Sequence, residues 1–308
     1  MAAALRQWLP ERSWSQVQRL LKSRQVTVNG NVCVDVGRRL RLPDVVKILA
    51  QPAAPPPSEQ AIRVRYIDQH VVVIEKPAGL TTLRHAEERN WSARRRQLQP
   101  TLDELLRRIL AKQKGKQRGF APPLRPVHRL DRETSGLMVF ARTVLAERHL
   151  GLQFRKHTTR RRYLAIVQGT ICEQTIESRL VRDRGDGRRG STTQPELGKV
   201  AVTHVRPLEA LGDYTLVECR LETGRTHQIR IHLAEAGHPV CGEKVYHQPR
   251  FGVPRPDASG APRVALHAVE LGFEHPVSGE QLAWEMPLPA DLEALLKRLR
   301  AKAKSQKK

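Results

Sequence analysis

Phenylalanine, tyrosine and tryptophan together make up only 4% of the 308 residues, too few for a broad platform that stacks single-stranded bases. The four cysteines, Cys33, Cys172, Cys219 and Cys241, are dispersed and form no C-x-x-C pair. That spacing argues against a structural zinc site and against a disulfide framework. No apolar run approaches the ~20 residues of a membrane span. The opening MAAALRQWLPERSW reaches Pro10 and Glu11 without an apolar core of signal-peptide length. The expectation is a cytoplasmic protein with reduced thiols. Acidic residues are also scarce: 31 Asp and Glu face 54 Lys and Arg, for a net charge of +23. A field of that sign attracts polyanions, nucleic acid first and an anionic membrane surface second. It is hard to reconcile with a small neutral substrate.

What is present divides the chain. The segment 51–60, QPAAPPPSEQ, cannot lie inside a helix or a central strand and reads as a semi-rigid linker. Before it, residues 1–50 carry a net charge of +6. Val17, Leu20 and Leu21 recur at helical spacing between Arg19, Lys22 and Arg24, and VTVNGNVCVDV alternates about Asn29-Gly30, a strong hairpin signal. After the linker, Arg63–Tyr66 and His70–Glu75 read as strands. Residues 84–118 carry a net +7, and within them Thr101 to Gln113 forms an amphipathic helix opened by a Thr101/Glu104 capping box. The flanking ARRRQ and KQKGKQR read as mobile arms, as does the Gly- and Arg-rich 183–195. Further strands are expected at Leu137–Ala141, Tyr163–Gln168, Val200–Arg206 and Tyr214–Leu221, and helices at Leu145–Phe154, Thr226–Ala236 and from Ala290 to about Lys302. Long alternating strands without a βαβ rhythm predict an α+β fold around a largely antiparallel mixed sheet. The domains expected are a small αβ unit (1–50), a linker (51–60), a catalytic domain (61–290) and a C-terminal helix with a basic tail (291–308).

The densest chemistry lies in VHRLDRETSGLMVFAR, residues 127–142. A polar loop feeds into an apolar strand, and Asp131 sits between Arg129 and Arg132 in sequence. Guanidinium neighbours favour an ionised carboxylate, which suits a nucleophile or a proton acceptor; a turn Asp bonding its own backbone is the commoner alternative. The HRLD sequence is not a kinase loop, because no Gly-rich loop, VAIK lysine or DFG accompanies it. GEKVYH lacks the first glycine of a P-loop. His227 and His232 are five apart with no third partner, and read as structural or nucleic-acid-facing rather than as metal ligands.

HRLDRETSGL, followed by a strand and a helix ending LQF, resembles the signature loop of the RluA-type pseudouridine synthases. The resemblance extends to VVVIEKPAGL, RRRYLAIVQG, LETGRTHQIRIHLAEAGHPVCGEKVYH and ALHAVELGFEHPVSGE, in family order over most of 63–288. Residues 5–48 resemble the small RNA-binding module of a small-subunit ribosomal protein. The usual glycine before that module's hairpin is Arg24 here, and Pro43-Asp44 replaces its usual Gly-Asp. The resemblance implies that Asp131 is the catalytic aspartate and attacks the flipped uridine or its ribose. Tyr163 would lie against the uracil and accept or relay a proton, and Arg230 would pair with Asp131, with Arg225 as its rival. Arg129 would fill the vacated stack. His128, which orders the loop or is simply packed, Arg225, Thr226 and His227 would line the substrate. Arg19, Lys22, Arg24 and Asn29 would contact RNA from the module. The implied chemistry needs neither cofactor nor metal. The expected partner is structured RNA, ribosomal first and transfer RNA second, with no membrane and no obligate protein partner. Two rivals stand beside this reading: a non-catalytic RNA-binding or ribosome-assembly factor that retains the fold, and an RNA-dependent hydrolase using Asp131 and His128.

Overall fold

The computed structural model describes residues 1–28, 31–42, 44–84, 88–113, 124–247 and 256–305. The N-terminal unit opens with α1 (Ala2–Trp8) and α2 (Trp14–Lys22), followed by β1 (Val26–Val28), β2 (Asn31–Val32) and β3 (Val46–Ile48). Ser13 and Gln16 form a reciprocal capping box at the start of α2. At its end, Gln25 N–H bonds Leu20 O and Arg24 N–H bonds Leu21 O. This is a Schellman turn, and Arg24 fills its left-handed position with φ of 65° where glycine is usual. Val17, Leu20 and Leu21 pack with Leu5, Val26, Val28 and Cys33 in a core of their own. The three strands pair antiparallel in the order β2-β1-β3. The hairpin tip at Asn29-Gly30 lies outside the described residues.

After a 3-10 turn at Glu59–Ala61 come β4 (Arg63–Ile67), β5 (Val71–Lys76), α3 (Ala93–Leu98), α4 (Leu102–Gln113), β6 (Arg125–Pro126), β7 (Ser135–Ala141) and α5 (Val144–Lys156). The chain continues with β8 (Arg160–Gln168), β9 (Gln174–Val181), β10 (Gly190–Thr192), β11 (Lys199–Ala210) and β12 (Tyr214–Leu221). It closes with α6 (Gln228–Glu235), β13 (Leu266–Glu274), β14 (Gln281–Glu285) and α7 (Ala290–Ser305). The large sheet runs β10-β9-β11-β12-β8-β13-β7-β5-β4, with β14 on β13 and β6 on β7. Every pairing described is antiparallel except that of β13 with β7. β5 reads VVVI rather than alternating because both its faces are covered. Val72 and Ile74 join the core that includes α4 and the leucines of α7, while Val71 and Val73 pack with Leu150 of α5.

Three expectations need correcting. ARRRQ is not a mobile arm: it forms most of α3, capped by Ser92, and Arg95 pairs with Asp35 of the N-terminal unit. Segment 183–195 is not wholly loop, since Gly190–Thr192 adds β10 to the edge of β9. The Thr101/Glu104 box is half made. Glu104 reaches back to Thr101 N–H at 3.2 Å, but the Thr101 hydroxyl donates to Asp103 at 2.6 Å instead. The second arm, KQKGKQR, lies largely outside the described residues. The linker is tied at both ends: Arg24 Nε donates to Ala53 O and Ala54 O, and Lys112 meets Glu59 at 2.6 Å.

Candidate active site

Asp131 lies on the loop between β6 and β7, and every backbone carbonyl around it has a donor. Thr82 Oγ1 donates to Leu130 O at 2.8 Å, and Thr134 N–H to Asp131 O at 3.2 Å. Gly79 N–H and Lys76 Nζ both reach Arg132 O. Arg263 Nη1 donates to Glu133 O at 3.1 Å and Lys76 Nζ to Thr134 O at 2.7 Å. Lys76 is fully buried and burial pushes its ammonium down to about 7, against the pull of Glu133 and Asp131. Its three carbonyl acceptors, Pro77 O included, match the three protons of the cation. A loop held at five successive carbonyls presents its aspartate with little freedom.

The loop enters β7 through Gly136, whose φ is +128°. A Cβ there would meet Ala268 O at 2.3 Å, so only glycine permits the close parallel pairing of β7 with β13.

The Asp131 side chain is 14% exposed and faces a cavity of about 830 Å³. Arg230 Nη1 donates to its Oδ2 at 3.3 Å, and His227 Nε2 stands 3.7 Å from its Oδ1. Arg225, the rival for the pairing, lies in the cavity wall with its Nε on Val200 O at 2.9 Å. Arg132, adjacent in sequence, turns instead to Gly79 O and Glu133. Arg129 is exposed at the cavity. The guanidinium that meets the carboxylate therefore comes from across the fold, not from the flanking residues.

Arg230 is held from behind by a residue that sequence reasoning missed. Glu243, 1% exposed, takes it in a bidentate pair at 2.6 and 2.8 Å. Burial alone would raise the Glu243 carboxyl, but Arg230 and the backbone N–H groups of Val245 and Tyr246 hold it at about 2. Glu243, with Asp131, keeps Arg230 firmly charged despite its burial. Tyr246 lies under the guanidinium, 5.2 Å from ring centre to Cζ, and its hydroxyl meets His227 Nδ1 at 2.7 Å. Burial pushes His227 down to about 4 and the Tyr246 phenol well above its ordinary value, so both are neutral at pH 7. The only sequence signal was the position of both acid and phenol in GEKVYH, within the third resemblance block.

The helix carrying Arg230 is pinned to the sheet. Gln228 bonds Thr223, Arg225 N, Val202 O and Thr203, and His232 bonds Thr203 and Ser178. His227 precedes α6 in the left-handed region at φ 59°, which delays the helix by two residues relative to expectation. Tyr163, 7% exposed on β8, lines the same cavity, with its phenol held neutral by burial and by the charge of Asp131. His128 accepts from Val139 N–H at 3.1 Å and stacks on Phe154 at 4.6 Å. Burial pushes its imidazole to about 3, the state of a packed, neutral ring. Thr226 lies in the cavity wall. Arg19 and Lys22 are exposed on α2, remote from Asp131 in the chain, and Arg24 is engaged with the linker. Asn29 lies outside the described residues. Among the described residues no group of three His, Cys, Asp or Glu could hold a metal ion, and no helix is long and apolar enough to cross a membrane.

Residues 70–235, which hold Asp131, Tyr163 and Arg230, match the RNA pseudouridylate synthase family. The chain belongs to that family. It is 36% identical over 307 residues to the ribosomal large subunit pseudouridine synthase D of Nitrosomonas europaea, covering 96% of this chain and 83% of the relative. An uncharacterised RNA pseudouridine synthase of Bacillus subtilis is 37% identical, covering 94% and 91%. Among solved structures, human RNA pseudouridylate synthase domain containing 4 superposes with a TM-score of 0.59 at 25% identity, over 77% of this chain and 92% of its own. The protein is thus an isomerase that converts uridine to pseudouridine in RNA.

Proposed function

We propose that this synthase modifies structured ribosomal RNA and that Asp131 is its nucleophile. The substrate class follows the name of its relative from Nitrosomonas europaea and the net charge of +23. The observation that carries the nucleophile is the immobilised carboxylate of Asp131 beside Arg230 and Tyr163 in one cavity. A uridine swung out of its helix reaches that carboxylate. The carboxylate adds to the base or the ribose, the bond from N1 to C1′ breaks, and the uracil turns. C5 then joins C1′, the C5 proton leaves, and the aspartate is released unchanged. Arg230 keeps Asp131 charged and aimed, and Tyr163, a neutral phenol against the base, accepts or relays the proton. Arg129 at the cavity fills the stack that the base leaves. Residues 1–50, with their separate core and exposed Arg19 and Lys22, form an RNA-binding domain tied by 51–60 to the catalytic domain. A ribosomal RNA substrate supports a cytoplasmic site of action.

The test is tritium release from RNA labelled at uracil C5, taken from a strain lacking the enzyme. Wild type should release tritium, and Asp131→Asn should release none while binding RNA within about twofold of wild type, because the side chains are nearly isosteric. Binding that collapses with turnover would make Asp131 structural. Salt-sensitive binding without release by wild type would instead favour an assembly factor.

A further inference from the structure

A second cavity, of about 1220 Å³, opens between the N-terminal unit and the catalytic domain. His227 borders both cavities, whereas Asp131 borders only the first. The size exceeds the roughly 300–1,000 Å³ of small-molecule sites. One wall is largely apolar and comes from the N-terminal unit and the linker, with Val32, Leu49 and Pro57. The facing wall is cationic, with Arg132, Arg182, Arg189 and Lys244.

The carboxylates near that wall are already engaged. Arg184 pairs with Asp186 and stands 3.9 Å from Glu235. Asp183 accepts from Gly185 and Gly187 N–H. Glu243 holds Arg230, Asp291 holds Arg263, Glu75 holds Arg65, and Glu133 stands 3.7 Å from Arg132. Arg182, Arg189 and Lys244 have no carboxylate within ion-pair distance among the described residues. Arg189 lines this cavity together with His227 and Tyr246, the pair that stands beside Asp131 and Arg230. A ligand that offers apolar faces on one side and repeated negative charge on the other matches this cleft. A nucleic-acid strand has that chemistry.

We propose that the interdomain cleft binds the RNA segment flanking the target nucleotide, with Arg182, Arg189 and Lys244 on its phosphates and the N-terminal unit and linker against its bases and riboses. This rests on Asp131 marking the reacting nucleotide. It also gives the linker a function: a strand held between both units is gripped by two contacts at high effective concentration.

The test is the double variant Arg189→Gln/Lys244→Gln, measured for RNA affinity against salt and for tritium release. Each lost phosphate contact on a single strand lowers the steepness of log K against log salt by about 0.7, so a drop of about 1.4 is expected. The kinetic loss should fall on KM rather than on kcat. Lys297→Gln/Lys302→Gln on α7, with the same change in charge, should leave the slope as it is, because neither lysine lines a cavity. An unchanged slope in the first variant, or a loss confined to kcat, overturns the subsite. Failure of the nucleophile reading shows separately, as tritium release by Asp131→Asn, while the slope is read from binding alone.

Discussion

At the scale of single residues, the site turns on which cation reaches which anion. Asp131 is flanked in sequence by Arg129 and Arg132, yet the arginine on its carboxylate is Arg230, 99 residues away. Guanidinium groups adjacent in the chain are carried off by their own backbone direction, as Arg132 is toward Gly79 O. Glu243 then decides where Arg230 points. Breaking a buried pair from one side leaves an uncompensated charge, at a cost of about 3–5 kcal/mol. Glu243→Ala should therefore lower stability to urea by that amount and lower kcat, while Glu243→Asp should recover part of both. If kcat survives in Glu243→Ala once the protein is folded, Glu243 does not position the arginine.

At the scale of elements, the Asp131 loop is set by the strands on either side of it. β7 meets β13 in the sheet's parallel pairing, and Gly136 stands where the backbone of Ala268 leaves no room for a side chain. Gly136→Ala would force the two strands apart at the end of the Asp131 loop and hold alanine at a φ it resists. A loss of about 3 kcal/mol or more is expected, since strain at such a φ costs about 1–3 kcal/mol and overpacking about 1–3 more. Equilibrium unfolding in urea reads it, and a change below 1 kcal/mol would show that the pairing gives way easily. Elements with strong internal patterns were legible: α4 from its leucine stripe, and β5 and β7 from continuous apolar runs. α3 was not, because ARRRQ has no apolar face and its anchor, Asp35, is 60 residues away. β9, β13 and β14 were passed over: β9 and β14 bury little of their surface, and in β13, buried on both faces, His267, Glu270 and Gly272 interrupt the apolar run. The left-handed Arg24 was foreshadowed by the missing glycine of the resembling module, and the Schellman turn explains it.

At the scale of the whole molecule, four histidines govern the response to acid. His232 and His267 are fully buried and burial pushes each to about 4, as it does His227, with His128 at about 3. Unfolded, each titrates near 6.5. Between about 4 and 6.5 the unfolded chain binds more protons than the folded one. Stability is therefore full above pH 6.5 and falls as pH drops toward 4. At pH 5 the loss is about 1–2 kcal/mol each for His232 and His267. The thermal midpoint should drop between pH 7 and 5, and less so in His232→Gln, which removes one titrating ring. A midpoint flat across that range would mean that these rings accept protons in the folded state.

The sequence by itself determined the partner class, through its excess of basic charge, and the family, through motif blocks in fixed order around HRLDRETSGL. It also marked Asp131, Tyr163 and Arg230 as the residues to watch. Only the tertiary structure decided that Arg230 rather than Arg225 meets Asp131, that Glu243 and Tyr246 stand behind it, and that a cationic cleft separates the two units. The physical reason is range. Charge totals, apolar periodicity and turn residues are properties of neighbours along the chain. Ion pairs such as Arg230 with Asp131 and Arg95 with Asp35 join residues 60 to 99 positions apart, and exist only once the sheet has brought those positions together.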